Sequence, residues 1–425
     1  MNAKPQSQKV LVIGIDWADQ EHVCCLVSSA ADDDGVVETI EHEPKAIAQW
    51  VDGLKDRFPE HRVLVALEQS RGAVIAALAE YRELELYPIN PRQLSSYRDS
   101  IFPSGTKNDP GDARLLAEFL QHHQNKLSRW QPDTVETRRI AGLCELRRKL
   151  VDARKSLVLQ LTSSLKVYFP LARKLTSRVL YHTLVLDLLR RWPTLGRLKR
   201  ARPDTLRTFL HEHDLRNQTQ QTKFIDDVRA AVPLTTDQAL IEPQAKYVQA
   251  LVAQIRDLNR SIAEFEKELQ KATAVHPDQA IFRALPGAGD ALVPRLIAAF
   301  GSDRNAYEDA KNMQCKSGIA PVTRQSGNSR LVLKRKACPK FLRQTFHEFA
   351  GHASKHSRWA KAFYEMKRDG GFKHNAAVRA LAYKWIRIIY RLWNTNTLYD
   401  EPQYIQQLIS KNSPVVKFLQ NRESA

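Results

Sequence analysis

Several residue types and segments that define common protein classes are scarce or missing in this sequence. Only five of the 425 residues are cysteines, and no two of them form a Cys-x-x-Cys pair. We therefore expect reduced thiols in a cytoplasmic protein and not a disulfide framework. No run of 18 apolar residues is present that could span a membrane. Residues 1–16 also lack the pattern of a secretory signal.

Two catalytic motifs are absent as well. The chain has no Gly-x-x-x-x-Gly-Lys-Ser/Thr segment, which argues against a P-loop nucleotide site. The stretch from His347 to His352 resembles the His-Glu-x-x-His motif of zinc proteases, but it is one residue too long. Five residues rotate a helix through about 500°, so these two histidines would not share a face. We expect neither class.

Positive charge is abundant and unevenly distributed. The chain has 65 Lys and Arg against 47 Asp and Glu, a formal charge of +18. Residues 1–50 hold three lysines and nine acidic residues, whereas residues 138–207 hold 18 basic and four acidic residues. Residues 301–400 hold 20 basic and seven acidic residues. Two basic blocks after an acidic start predict binding of a nucleic acid and not of a membrane surface.

Residues 9–100 alternate short apolar runs with helical patterns, as is typical of an α/β domain. The order is three strands, then helix, strand, helix and strand, followed by a loop and one more helix. The expected strands are 10–15, 22–29, 35–40, 62–67 and 84–89, and the expected helices are 44–58, 71–82 and 109–122. This order predicts a mixed sheet with helices on its faces.

The remainder has helical patterns, including a heptad stripe within 244–272. Its apolar positions are spaced four and three apart, and they are Leu251, Ile255, Leu258, Ile262, Phe265 and Leu269. Either a coiled coil, through which copies self-associate, or an ordinary antiparallel helix pair within one chain would explain the stripe. Residues 280–395 form a further helical unit, which the loop 319–329 interrupts.

Four acidic residues occur where a metal site would need them. Asp16 and Glu68 each follow an expected strand, and the carboxyl ends of neighbouring strands meet at one edge of an α/β sheet. Asp109 and Asp112 are three residues apart on an expected helix and so share a face. Four clustered carboxylates repel each other unless cations lie between them. The pattern predicts a site for Mg²⁺ or Mn²⁺, of the kind that supports phosphodiester chemistry.

A glycine turn provides a candidate phosphate contact. Residues 284–290 contain Gly287 and Gly289 in a Pro-Gly-x-Gly turn that opens the helix 291–300. Backbone N–H groups in such a turn can hold a DNA phosphate, as in helix-hairpin-helix modules. A connecting turn without any ligand explains the same residues.

A candidate nucleophile lies in the loop that interrupts the last helical unit. Ser326 is followed by Gly327, and residues 324–343 contain seven basic residues and no acidic residue. A serine nucleophile needs an exposed hydroxyl and cations around the phosphorus that it attacks. The candidate nucleic-acid contacts in this segment are Arg324, Arg330, Lys334, Arg335 and Lys336. A serine beside a glycine is also an ordinary turn residue.

The segments Ile13–Asp16, Leu67-Glu68 and Lys107–Ala113, together with Leu285–Gly289, Ser317–Pro321 and Ser326-Gly327, resemble the signatures of one family. Their order and separation are similar to those of the DEDD-type transposases of the insertion-sequence-110 family, the bridge-RNA-guided recombinases. The segment Lys336–Arg343 departs from the family, which often has a Gly-Asn pair there.

The resemblance implies a RuvC-like, RNase-H-fold α/β domain over 1–130 and a helical, coiled-coil linker over 131–279. It also implies a mostly α transposase domain over 280–400 and a tail over 401–425. Asp16, Glu68, Asp109 and Asp112 would be catalytic and bind a divalent metal, and Ser326 would form a covalent link to DNA. The implied partners are donor and target DNA, a structured noncoding guide RNA and further copies of the chain in a tetramer.

Three functions remain to be compared. The first is an RNA-guided recombinase of a mobile element, which acts in the bacterial or archaeal cytoplasm at the nucleoid. The second is a RuvC-like junction endonuclease, which cuts DNA by metal-activated water without a covalent intermediate. The third is a nucleic-acid-binding scaffold with a degenerate acidic cluster. The presence of all four acids argues against the scaffold, and the segment around Ser326 is surplus to a junction nuclease.

Overall fold

The computed structural model describes residues 9–28, 35–68, 72–101, 108–175 and 178–423. The expected strand end Ser29 and the expected helix start Arg71 lie outside these ranges. The chain divides between Pro132 and Asp133 into two compact units. None of the helices in the described ranges is long and apolar enough to cross a membrane.

The first unit is an α/β domain, and its elements closely follow the sequence-based prediction. In chain order they are β1 (Val10–Trp17), β2 (Glu21–Ser28), β3 (Val36–Glu41), α1 (Pro44–Arg57), β4 (Arg62–Leu67), α2 (Ala73–Leu78), β5 (Leu84–Pro88), α3 (Pro91–Ile101) and α4 (Asp109–His123). The prediction missed α3. A short 3₁₀ turn at Gln124–Lys126 follows α4.

The five strands form one mixed sheet in the order β3-β2-β1-β4-β5. Strands β1, β2 and β3 pair antiparallel, whereas β4 pairs parallel with both β1 and β5. Alternate residues of a strand face opposite sides of the sheet. Ile13 and Ile15 therefore pack with α1 and α2 in one core, and Val12 packs with α3 and α4 in the other.

Helix α4 lies directly on β1, because Gly14 has no side chain. A Cβ atom at Gly14 would lie 2.0 Å from the carbonyl oxygen of Ala113 and 2.5 Å from the amide nitrogen of Ala117. Both are backbone atoms of α4, which cannot move away as a flexible side chain would. This contact fixes the height of the start of α4 above the sheet.

We expect Gly14→Ala to destabilise the first unit by about 3 kcal/mol, since a methyl group would overlap the backbone of α4. Gly53 provides a matched control, because it lies in α1 and no heavy atom would lie within 4 Å of an added Cβ. Gly53→Ala should raise stability by about 0.5–1 kcal/mol through its better helix propensity. Urea midpoints of the full chain, followed by circular dichroism, test both. Equal midpoints for the two variants would contradict the contact.

The second unit is mostly helical. Its helices are α5 (Val135–Tyr168), α6 (Thr183–Arg191), α7 (Leu195–Arg200), α8 (Pro203–Glu212), α9 (Gln218–Ala230), α10 (Gln238–Ala274), α11 (Gln279–Arg283), α12 (Val293–Phe300), α13 (Ala310–Lys316), α14 (Lys340–His356), α15 (Arg358–Asp369), α16 (His374–Thr395), α17 (Glu401–Ser410) and α18 (Pro414–Glu423). Strands β6 (Val322–Ser326) and β7 (Ser329–Leu333) form a separate hairpin between α13 and α14.

Helices α5 and α10 pack antiparallel and connect two hydrophobic cores. Arg139 near the start of α5 pairs with Glu268 near the end of α10, whereas Gln160 near the end of α5 accepts from Tyr247. The heptad positions Leu251, Ile255, Ile262 and Leu269 are buried within this one chain. The structure thus supports the antiparallel helix pair, and these four side chains are not available to a second copy.

Candidate active site

Two of the predicted acids lie side by side at one end of the sheet. Asp16 lies inside β1 and is half-buried, whereas the sequence-based prediction placed it just beyond the strand. Glu68 follows β4 directly and is exposed. Ile15 of β1 pairs with Leu67 of β4 in parallel register, so Asp16 and Glu68 are the next residues on adjacent strands. The predicted common edge of these two acids is confirmed.

The other two acids lie in the first turn of α4. The side chain of Asn108 caps this helix and accepts a 2.8 Å hydrogen bond from the amide of Gly111. Asp109 is exposed, whereas Asp112 is buried with 6% of its surface accessible. Acidic side chains in a first turn are stabilised by the helix dipole.

Strand alternation directs Asp16 towards α4. Gly14 faces α4 through the contact with Ala113, and Asp16, two residues further along β1, faces the same side of the sheet. Ala66 of β4 packs in the core between the sheet and α4, so Glu68, two residues further along, also lies on this side of the sheet. Asp112 immediately precedes Ala113, which contacts Gly14. The first turn of α4 therefore lies near the end of β1, and the four acids lie in one region.

Arg98 of α3 is a site residue that the sequence analysis missed. Its guanidinium Nη2 donates to Oδ1 of Asp112, and only 18% of the Arg98 side chain is exposed. The signal for α3 was present in the sequence. Asn90 precedes Pro91 and accepts from the amide of Arg92, and Leu94 begins an apolar face. Asn followed by Pro at the first helical position is a typical helix start.

The donor set at this edge has the chemistry of a divalent-metal site, since hard carboxylate oxygens are the ligands that Mg²⁺ and Mn²⁺ prefer. The expected four-acid cluster is nevertheless not assembled. Within the described ranges, no three His, Cys, Asp or Glu side chains lie close enough together to hold one ion. The ion pair to Arg98 engages one carboxylate oxygen of Asp112. Asp109 and Glu68, both exposed, extend from separate elements.

Ser326 lies at the end of a β-hairpin and not in an irregular loop, which corrects the prediction for 319–329. It is the last residue of β6 and pairs with Ser329 of β7 across a two-residue turn. Gly327 has φ +53° and takes the first turn position, where hairpin turns of type II′ require glycine. Ser326 is exposed, so its hydroxyl is presented to solvent.

The hairpin register separates the two arginines that flank Ser326. Directly opposed residues share a face, and so do residues two apart on one strand. Arg324 therefore lies on the face of Ser326, whereas Arg330, opposite Gln325, lies on the other face. Of these two candidate contacts, only Arg324 therefore lies beside the serine.

The three basic residues after the hairpin differ in exposure. Lys334 and Lys336 are exposed. Arg335 is half-buried, its Nη2 lies 3.8 Å from the sulfur of Cys315, and its buried Nε has no hydrogen-bond partner in the described residues. The two lysines are therefore accessible to a polyanion, whereas Arg335 lies against the protein.

The two glycines of the turn between α11 and α12 have different surroundings. Gly287 has φ +77°, and a Cβ there would lie 3.0 Å from the ring of His356 on α14. Gly289 is exposed, and a Cβ there would meet no heavy atom within 4 Å. Gly287 thus allows close packing, and Gly289 is the more exposed of the two.

Two family models match the chain, one over the acidic edge of the sheet and one over the segment of the hairpin. One, described as "Transposase", covers residues 13–170 and includes all four acids. The other, described as "Transposase IS116/IS110/IS902 family", covers residues 279–365 and includes Ser326. The protein is a DNA transposase, and it belongs to the IS110 family of transposases.

Relatives match over nearly the whole chain. A mini-circle protein of Streptomyces coelicolor, described as a transposase candidate for IS117, is 27% identical over 93% of this chain and 97% of its own length. An uncharacterized 42 kDa protein of insertion element IS900 from Mycobacterium paratuberculosis is 22% identical over 91% and 96% of the two chains. The match to the first family model also implies a general dependence on a divalent metal.

We expect Arg98 and Asp112 to be energetically coupled, because the pair is largely removed from water. A double-mutant cycle with Arg98→Ala and Asp112→Ala, read from urea unfolding, should give a coupling of about 2 kcal/mol. The exposed pair Arg207 and Asp204 serves as control, since their side chains are 50% and 92% accessible. Its coupling should be close to zero. Additive effects at Arg98 and Asp112 would contradict the assignment.

Proposed function

We propose that this transposase is an RNA-guided DNA recombinase that uses Ser326 as its nucleophile. The observation that carries the proposal is the presentation of Ser326 at a hairpin end, exposed and on the same face as Arg324. The hydroxyl is accessible to a DNA phosphate, and the guanidinium can stabilise charge on the phosphorus that is attacked. The family match over 279–365 includes this hairpin.

The chemical reason for a serine is the conservation of bond energy. The Ser326 Oγ atom forms a bond to phosphorus while the bond from phosphorus to a DNA oxygen breaks, and the serine proton is transferred to a base or to water. The free DNA hydroxyl of another strand then attacks phosphorus and releases the serine. Strands are thereby rejoined without a high-energy cofactor, which hydrolysis by water would not allow.

Asp16, Glu68, Asp109 and Asp112 would hold a divalent metal, Mg²⁺ or Mn²⁺. When bound, such an ion stabilises negative charge on phosphate oxygens. The residues of the chain provide the rest of this site. Adjacent strands place Asp16 beside Glu68, and Arg98 fixes the side chain of Asp112 and neutralises its charge.

A structured noncoding RNA would supply sequence recognition by pairing with donor and target DNA. The chain would then need to recognise backbone and shape, which agrees with basic blocks at 138–207 and 301–400. Gly289, Lys334 and Lys336 are exposed and would contact phosphates. We further infer a RuvC-like fold for the first unit, a tetramer as the working assembly and action at the nucleoid.

One observation favours the second function, a junction endonuclease that uses water. Within the described residues, the Ser326 side chain forms no hydrogen bond to a group that would remove its proton. A metal-dependent nuclease would need only the acidic edge of the first unit. The two functions differ in whether protein becomes attached to DNA.

We expect Ser326→Ala to abolish both the recombined DNA and any covalent protein–DNA adduct. The matched control is Ser329→Ala, because Ser329 is the exposed partner of Ser326 across the same hairpin. Ser329→Ala should retain both products. Reactions contain donor and target DNA with Mg²⁺, with or without RNA transcribed from the flanks of the element, and denaturing gels display the adduct.

The same reactions separate the two candidate enzymes. Nicking by Ser326→Ala at the wild-type position and rate would identify water as the nucleophile and establish the endonuclease. Recombination by the wild-type protein without the RNA would contradict RNA guidance but not the role of Ser326.

We expect Asp16→Asn and Glu68→Gln to lose strand exchange by at least about 100-fold while DNA affinity changes little, because metal ligands act on the chemical step and basic residues supply affinity. Asp19→Asn is the control, since Asp19 is exposed beyond the end of β1. Filter binding at fixed salt, run beside the recombination assay, distinguishes the two effects. Wild-type recombination by Asp16→Asn would refute the metal site.

A further inference from the structure

A cleft in the second unit lies outside both family matches, which cover residues 13–170 and 279–365. It has a volume of about 530 Å³, within the range of ligand pockets, which is about 300–1,000 Å³. Residues of the second half of α16, the segment 397–400, α17 and Lys411 line it. We refer to it as the α16–α17 cleft.

The α16–α17 cleft has a strong excess of positive charge. Lys384, Arg387 and Arg391 are spaced three and four residues apart on α16 and so share one face. Lys411 joins them from the end of α17, and the only acidic residue in the lining is Asp400. Asp400 already caps α17 by accepting a 2.8 Å hydrogen bond from the amide of Gln403.

Among the described residues, these cations have no neutralising partner. In the part of the chain that the structure describes, the side chains of Arg387, Arg391 and Lys411 form no ion pair and no hydrogen bond. Lys384 lies 4.8 Å from the ring centroid of Phe363 and likewise lacks a carboxylate partner. Burial, followed by the charges of Arg387 and Lys367, lowers the pKa of Lys384. Cations close together without partners favour a bound anion.

The floor of the cleft is apolar and aromatic. Tyr399 and Tyr404 are half-buried, and both contact Trp359. The Trp359 indole N–H donates a 2.7 Å hydrogen bond to the Tyr399 hydroxyl, and the Trp359 and Tyr404 ring centroids are 4.9 Å apart. Leu398 is 59% exposed at the rim. Phosphate alone does not need such a floor, but a nucleotide with its base and sugar does.

We propose that the α16–α17 cleft binds one or two nucleotides of a single-stranded nucleic acid, with phosphates on Arg387 and Arg391 and a base against Tyr399, Tyr404 and Leu398. This rests on the proposed function, which requires unpaired RNA and DNA strands near the protein. An acidic peptide would match the charge of the cleft but would not use the aromatic floor. A duplex keeps its bases stacked and so would not reach the floor.

The test is the salt dependence of binding, measured by fluorescence anisotropy on the full chain with a labelled single-stranded DNA, an RNA of the same sequence and the DNA duplex. Each lost phosphate contact lowers the slope of log Kd against log salt by about 0.7 for single strands. Arg387→Ala with Arg391→Ala should therefore lower it by about 1.4. Both side chains are exposed, so the fold should be retained, which circular dichroism verifies.

Two sets of controls locate the effect. Lys223→Ala with Lys246→Ala removes the same charge from exposed positions outside both basic blocks and should change the slope by less than half as much. Leu398→Asp should weaken single-strand binding several-fold more than Leu398→Asn, because only the aspartate repels phosphate within the cleft. Excess AMP should not displace the strand completely.

A slope for the arginine variant equal to that of wild type or of the lysine control would overturn the proposal. An effect on the duplex alone, or full displacement by AMP, would overturn the single-strand assignment. The proposed function fails separately. If the arginine variant shows the slope change but the wild-type protein never recombines DNA, the cleft proposal stands and the recombinase proposal is wrong. If the arginine variant recombines DNA at the wild-type rate and its slope is unchanged, the recombinase proposal stands and the cleft proposal is wrong.

Discussion

The close approach of α4 to β1 at Gly14 is the constraint on which the acidic edge depends. Helices usually pack on a sheet through side chains, whereas here the backbone of Ala113 would be 2.0 Å from any Cβ at residue 14. That contact places the first turn of α4, with Asp109 and Asp112, beside the end of β1. Strand alternation then brings Asp16 to the same side. A larger residue at position 14 would push α4 away from the sheet and separate Asp109 and Asp112 from Asp16.

Arg98 shows how the fold manages negative charge at that edge. A buried carboxylate without a partner would be strongly unfavourable, and the guanidinium from α3 supplies the opposite charge to Asp112. The same pair limits how the acids gather, because one oxygen of Asp112 is engaged. A divalent metal and Arg98 would therefore compete for the same carboxylate oxygen.

The second unit combines a packed helical frame with an exposed hairpin tip. Helices α5 and α10 extend between two cores, and the larger core contains the fully buried Trp359, Trp385 and Trp393. The β6–β7 hairpin starts from buried Ile319 and Ala320 and then leaves the core. A two-stranded hairpin alone gains little stability. Its buried base and exposed tip would suit the proposed attack of Ser326 on a phosphate of a bulky nucleic acid.

Apart from α3, the order of strands and helices in the first unit was predictable from the sequence alone, because apolar periodicity is a local property. The adjacency of Asp16 and Glu68 was also predictable, since parallel neighbouring strands end at one edge. Arg98 was not assigned, although Asn90-Pro91 marked its helix, because no local pattern says which distant carboxylate an arginine meets. The hairpin register, which puts Arg324 but not Arg330 beside Ser326, depends on pairing across a turn. The α16–α17 cleft required tertiary structure for the same reason: its cations are separated along the chain, and only packing brings Lys411 to the face of α16.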